Sequence, residues 1–539
     1  MNSIRNIEVT LLLAVGLLIS GGLVGQQPVV LAQDKSLGKV EFSISCSPKA
    51  QETFNSGVAL LHHMMYAQAG NEFQKVAELD PRCSMAYWGI AMALFHPLWA
   101  PPSEDELKKG QAAVEKAKQL IPKTPQEQGY VSAVEAFYDG WQTKDHKTRI
   151  EAWREGQKKV LKNNPEDIDA GAFYALSLLA TAPKKDKTFK NQKEAGFMLE
   201  ELHEKAPEHP GLFHYTIHAY DNPMLARRAV PVARGYDKLA PDVPHALHMP
   251  SHIFVRLGIW HDVIDWNIRS ASAAKRQSMS LHYVHALDYL IYAYLQQGQY
   301  EKVLNLINKI NGIEDNQDSF VSAYGIAAAQ ARYPLERMEW EEATSLPVRT
   351  HSAFPWDKYP QYEAITYYAR GLGAARSGDT KSAQKAKVRL DELYENTVNN
   401  GEQYWSVIVD AQRKTVDAWI THSNGDKKKG LQMMREAADI EDSVDKHPVT
   451  PGSIMPARDM LGDMLLMSNK PEEALKAYEV SLTTSPNRYY SLYGAGYAAE
   501  SSGLQEKAKK YYAELIELTK GTESESTRVK HAKKYTQKN

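Results

Sequence analysis

The sequence predicts an all-α fold, a solenoid of helical hairpins, and two observations carry that prediction. Near the C-terminus Gly462, Ala474 and Tyr478 are followed, each 34 residues on, by Gly496, Ala508 and Tyr512. Self-similarity at such a step marks a repeat architecture. Elsewhere no run of alternating β-branched residues reads as a strand. Within a unit, small residues let two antiparallel helices approach and large ones fill the seam. A proline then ends the second helix, as at Pro81 and Pro486.

This spacing resembles the tetratricopeptide repeat (TPR), over most of residues 51–520. The resemblance implies a right-handed superhelix in which the first helix of each hairpin lines a concave groove. Taken in order, residues 1–32 read as a signal peptide. The apolar run Val9–Gly25 is followed by Val30-Leu31-Ala32, a small-residue cleavage site. Left uncut, it would be an anchor, though it is short for a span of about 20 residues. The expected location is therefore exported, periplasmic or extracellular, or membrane-anchored if the signal is not cleaved. No membrane span is expected once it is removed.

Residues 33–50 form an N-terminal extension. Residues 51–310 form an N-terminal TPR-like array that opens with Gly57, Leu60, Ala69, Phe73 and Pro81. Residues 311–360 are a helical and proline-rich linker, broken by "LPVRTHSAFPWDKYP" (Leu346 to Pro360). Residues 361–520 form a second array, and 521–539 a polar basic tail expected to fray. The lysine-rich stretch Pro183 to Lys193 reads as a solvated turn.

With 64 basic and 66 acidic residues the chain has no electrostatic footprint for nucleic acid. The two cysteines, Cys46 and Cys83, are an even pair in an exported chain. They read as a disulfide that clips the extension to the first hairpin, with two unrelated thiols as the alternative.

The histidines are the most informative residues. "HALHMPSHIF" places His245, His248 and His252 in eight residues. His248 and His252 are four apart, and so are His214 and His218 in "HPGLFHYTIHAYDNP", which puts each pair on one helical face. One repeat length separates the two pairs, so they are predicted to stack on neighbouring first helices. Pro250 suits a first turn, so this helix is predicted to start near Met249 with His248 at its cap. His282 and His285 follow in "LHYVHALDYL", where a 40-residue step between Gly258 and Gly298 leaves the register open and favours His285.

Imidazole suits zinc, copper, iron or nickel. His214, His218, His248, His252 and His285 are therefore candidate ligands of one transition-metal ion: zinc, copper or iron. Asp221 and Asp288 are candidate ligands or orienting carboxylates. The same residues could instead line a peptide- or anion-binding groove, or simply pack. His62 and His96 read as packing residues or as part of a groove pocket. "HEKAPEH" (His203 to His209) has the wrong spacing for two ligands on one face and reads as solvated surface. There is no His-Glu-x-x-His motif, nucleophile elbow, P-loop or dinucleotide fingerprint.

The strings "DPRCSMAYWGIAMALFHPLW", "HALHMPSHIF" and "HPVTPGSIMPARDMLGDMLL" resemble a group of exported bacterial TPR proteins. That resemblance implies the fold and the location and leaves the chemistry open. It also gives His447 and Arg458 a place, in a segment that is either a connector between repeats or a wall of the groove. The expected function is an exported solenoid that binds a protein, peptide or small ligand around a histidine-lined, metal-binding centre. The alternative is a metal-dependent hydrolase or oxidoreductase using the same histidines; a scaffold without a site is the third reading.

Overall fold

The computed structural model describes residues 37–98, 101–183, 185–522 and 526–538. The signal peptide read at 1–32 lies outside them. Helices follow one another as antiparallel hairpins from Pro48–His62 to Thr527–Lys538, with no strand among the described residues. Each helix packs on the next, and alternate helices stack, as in an all-α solenoid.

The 34-residue register is realised in the seams. A Cβ on Gly462 would stand 2.5 Å from the Tyr478 ring, and one on Gly496 2.6 Å from Tyr512. Glycine at these points lets a tyrosine from the partner helix lie against bare backbone.

The N-terminal extension is a strap across the first hairpins. Lys39 N donates to Glu208 O at 2.8 Å, Val40 and Phe42 are buried, and Ser45 donates from N and Oγ to the buried Glu127 carboxylate. Cys46 and Cys83 are joined by a disulfide across Cα atoms 5.2 Å apart, and the bond closes a separation of 37 residues. A cross-link of that span removes enough unfolded-chain entropy to stabilise by about 4 kcal/mol. Urea unfolding of the Cys46→Ser, Cys83→Ser protein is expected to show a loss of that size. A loss under about 1 kcal/mol would mean that the Glu127 contacts alone hold the strap.

The solenoid closes on itself. Pro48–His62 touches Pro210–Tyr220, and Ser280–Gln296 touches Tyr489–Ser501. Trp260 Nε1 donates to Asn487 O at 2.8 Å, and Tyr489 N donates to Gln296 Oε1 at 3.0 Å. Arg488, wholly buried, pairs with Glu336 and with Asp459. These contacts seat the C-terminal helices over the inner helices of the first array.

The helix Pro250–Leu257 begins where the sequence places it, with Met249 as its N-cap and Pro250 in its first turn. His248 lies just before it, as the last residue of the short helix Pro244–His248. Two local expectations change. The tail does not fray, because Thr527–Lys538 is helical and buries Val529 and Ala532, three residues apart on one face. The lysine-rich turn is not wholly solvated, since Phe189 within it is buried. Among the described residues no helix is long and apolar enough to cross a membrane.

Candidate metal centre

Four helices converge. Pro210–Tyr220 brings His214 and His218, Pro244–His248 brings His245 and His248, Pro250–Leu257 brings His252, and Ser280–Gln296 brings His282 and His285. The five predicted ligands do not gather around one point. Instead they join His245 in two triads, His214–His218–His245 and His248–His252–His285, each with its nitrogens within 4.8 Å of one another. His218 and His252 rings lie 6.0 Å apart, so the triads stand side by side. His214 faces His245 at 5.0 Å, and His248 faces His285 at 4.2 Å. The repeat-equivalent stacking expected of 214 with 248 is therefore replaced, and that of 218 with 252 is kept.

Hydrogen bonds assign the protons. Asn267 Nδ2 donates to Val263 O, so Asn267 Oδ1 accepts, and it lies 2.7 Å from His248 Nδ1. His248 therefore carries its proton on Nδ1. His252 Nδ1 lies 3.0 Å from Asp221 Oδ2 and donates to it. Burial alone would raise the Asp221 carboxyl, but Lys446, Arg256 and His252 hold it well below its usual range. Burial, followed by the neighbouring imidazoles, pushes His248 and His285 well below theirs, and burial outweighs Asp221 at His252.

With each Nδ1 proton committed, the two Nε2 atoms face each other across 3.0 Å. Two bare acceptors at that distance would repel unless they shared a cation. Nitrogens bound to one ion at about 2.0–2.1 Å stand about 2.9–3.4 Å apart for ligand angles of about 90–110°. Asp221 behind His252 is the orienting carboxylate common behind metal-bound imidazoles. In the other triad His214 Nδ1 donates to His62 O at 2.6 Å, leaving Nε2 at 3.1 Å from His218 Nε2.

The triads border a void of about 40 Å³, lined by His218, His245, His252 and His285 and by Met64, Leu98, Met249 and Phe320. Residues His447 to Val449 close it. Leu98, His218, His447 and Pro448 also border a chamber of about 310 Å³, with Pro97, His146 and Lys446. The closing segment is pinned from below: Tyr289 Oη donates to Thr450 O at 3.1 Å, and Arg332 Nη2 donates to Gly452 O at 3.0 Å. Leu98, Met249, His252 and residues His447 to Val449 thus border one space.

Other predicted residues lie elsewhere. Asp288 pairs with buried Arg332 and so supports the closing segment rather than an imidazole. Arg458 is bound to Asp439 and Asp442 beside a separate cavity of about 340 Å³. His96 is a helix C-cap at φ 36 with Nε2 3.4 Å from Glu106. His62 donates from Nε2 to Asp169 at 2.8 Å and accepts from Tyr215 at 3.0 Å on Nδ1. His209 donates to the same carboxylate oxygen at 3.2 Å. There the carboxylate takes both imidazole protons, while the buried His209 Nδ1 has no hydrogen-bond partner among the described residues, and these three residues also lie close enough to hold an ion. His209, read above as solvated surface, is 3% exposed. Its partners come from other helices, which spacing along one helix does not reveal. Asn267 and Lys446 carried no sequence signal.

No family model and no curated protein matches the chain. Among solved structures, a tetratricopeptide repeat protein from Parabacteroides merdae is 15% identical with a TM-score of 0.31, covering 55% of this chain and 98% of its own. The human IFIT1 dimer with m7Gppp-AAAA is 12% identical with a TM-score of 0.36, covering 81% of this chain and 90% of its own. Similarity at this level leaves the site to be read from its own geometry.

Proposed function

We propose that the chain is an exported, metal-dependent enzyme that acts on a small molecule at an imidazole-bound transition metal. One observation carries this reading: two imidazoles, each with its Nδ1 proton committed, bring their Nε2 atoms to 3.0 Å from each other. His285 supplies a third nitrogen, which leaves an open position of the kind catalytic metal sites keep. Such an ion would polarise a bound oxygen or lower the pKa of a bound water. His447 borders the same void from outside the triads, as a group able to hold a proton near it.

A long peptide groove is the weaker reading, because this chain's own residues 445–456 cover the inner helices. The disulfide supports an oxidising, exported location.

The test is the metal content of the mature chain, made without a His tag and counted by mass spectrometry. At least one zinc, copper or iron per chain is expected. The count should fall by one ion per chain in a His248→Ala, His252→Ala variant whose circular dichroism is unchanged. Absence of metal, with no uptake of any of the three on reconstitution, would end the proposal.

A further inference from the structure

The two triads share no residue, and each alone has the three ligands a catalytic ion needs. Both border one void: His218 and His245 from one triad, His252 and His285 from the other. An ion held in either triad would turn its open position toward the same space. That space is about 40 Å³, more than one water occupies and too small for an organic substrate. Its remaining walls are largely apolar. The adjoining chamber of about 310 Å³ has room for a small organic molecule.

We infer that the protein binds two transition-metal ions side by side, one in each triad, and that the void between them takes dioxygen. This rests on the metal reading above. Six imidazoles with no carboxylate or thiolate among them favour copper, the strongest binder of the divalent series at nitrogen sites. The chemistry balances as a two-electron exchange. A small organic donor in the chamber gives up two electrons and two protons. Two copper(II) ions each gain one electron. Dioxygen then takes the two electrons from the reduced pair and the two protons, and leaves as hydrogen peroxide. Two ions are needed because copper changes by one electron and the step moves two.

The test loads the full mature chain with copper(II) and compares metal count with electron paramagnetic resonance. Two coppers per chain are expected, with far less signal than two independent spins, because ions bridged across the void couple. The variants His214→Ala, His218→Ala and His248→Ala, His252→Ala should each keep one copper with its full signal. Should a double variant fail to fold, His218→Gln, at the edge of the cluster, should give the same uncoupling. The reduced protein should consume one dioxygen per two coppers. One copper per wild-type chain would overturn the paired centre and leave a mononuclear enzyme standing. Two coppers with full, uncoupled signal would overturn the shared void, as would an absence of oxygen uptake. No copper, zinc or iron at all would overturn both readings.

Discussion

Urea unfolding of the metal-free protein is expected to show lower stability at pH 6 than at pH 7. The six triad histidines and His282 all have folded pKa values below the ordinary 6.5, burial being the first cause; His282 is held at about 4 and His218 at about 3. Their unfolded forms take up protons that the native protein refuses. Stability is therefore fully present above pH 6.5 and is lost as pH falls through 6.5 toward those lower values. His62, His63 and His146, each lowered to about 4 chiefly by burial, act in the same sense. Three carboxyls act in the opposite sense. Burial raises Asp288 and Asp459 to about 6 and Glu441 to about 7, so the native state gains their protons first. They offset part of the loss over the same interval. Metal loading should raise the pH 7 value and steepen the acid loss, since protons displace the ion. A flat profile would show that the native imidazoles accept protons, and the opposed lone pairs would then be an ordinary imidazole–imidazolium bond.

The hairpin seams were legible because Gly462, Tyr478, Gly496 and Tyr512 answer to a local rule: a ring needs bare backbone opposite. The histidine pairs were legible because the helix period puts residues four apart on one face. Their division into two triads was not. It depends on the short helix Pro244–His248, which brings His245 opposite His214 and His248 beside His285. The cover was less legible still. Asp445 meets Arg256 from 189 residues away, and nothing local to either states the pairing. His209 shows the same limit, since it shares Asp169 with His62 from three different helices. Local periodicity fixes which residues face inward, while the meeting of inward faces is set by how the solenoid closes.

Asp221→Ala is expected to cost about 3–5 kcal/mol, the usual result of leaving a buried charge uncompensated. Asp221 accepts from Arg256 Nε at 2.8 Å, Lys446 Nζ at 3.1 Å and His252 Nδ1 at 3.0 Å, all within the protein interior. Without it Arg256 keeps Asp445, but the Lys446 ammonium loses the carboxylate it touches. A second substitution, Lys446→Met, should therefore recover part of the loss although it removes another polar group. Failure to recover would assign the cost to His252 or Arg256 instead. The same single substitution should weaken metal binding about 10- to 100-fold, because His252 loses the acceptor that fixes its ring and its proton. Asp221 is bonded at once to a ligand imidazole and, through Lys446 and Arg256, to the segment that closes the void. Loss of metal affinity and faster protease cleavage between Val444 and Met455 should consequently appear together. Either without the other would show that the closing segment and the metal centre are held by separate means.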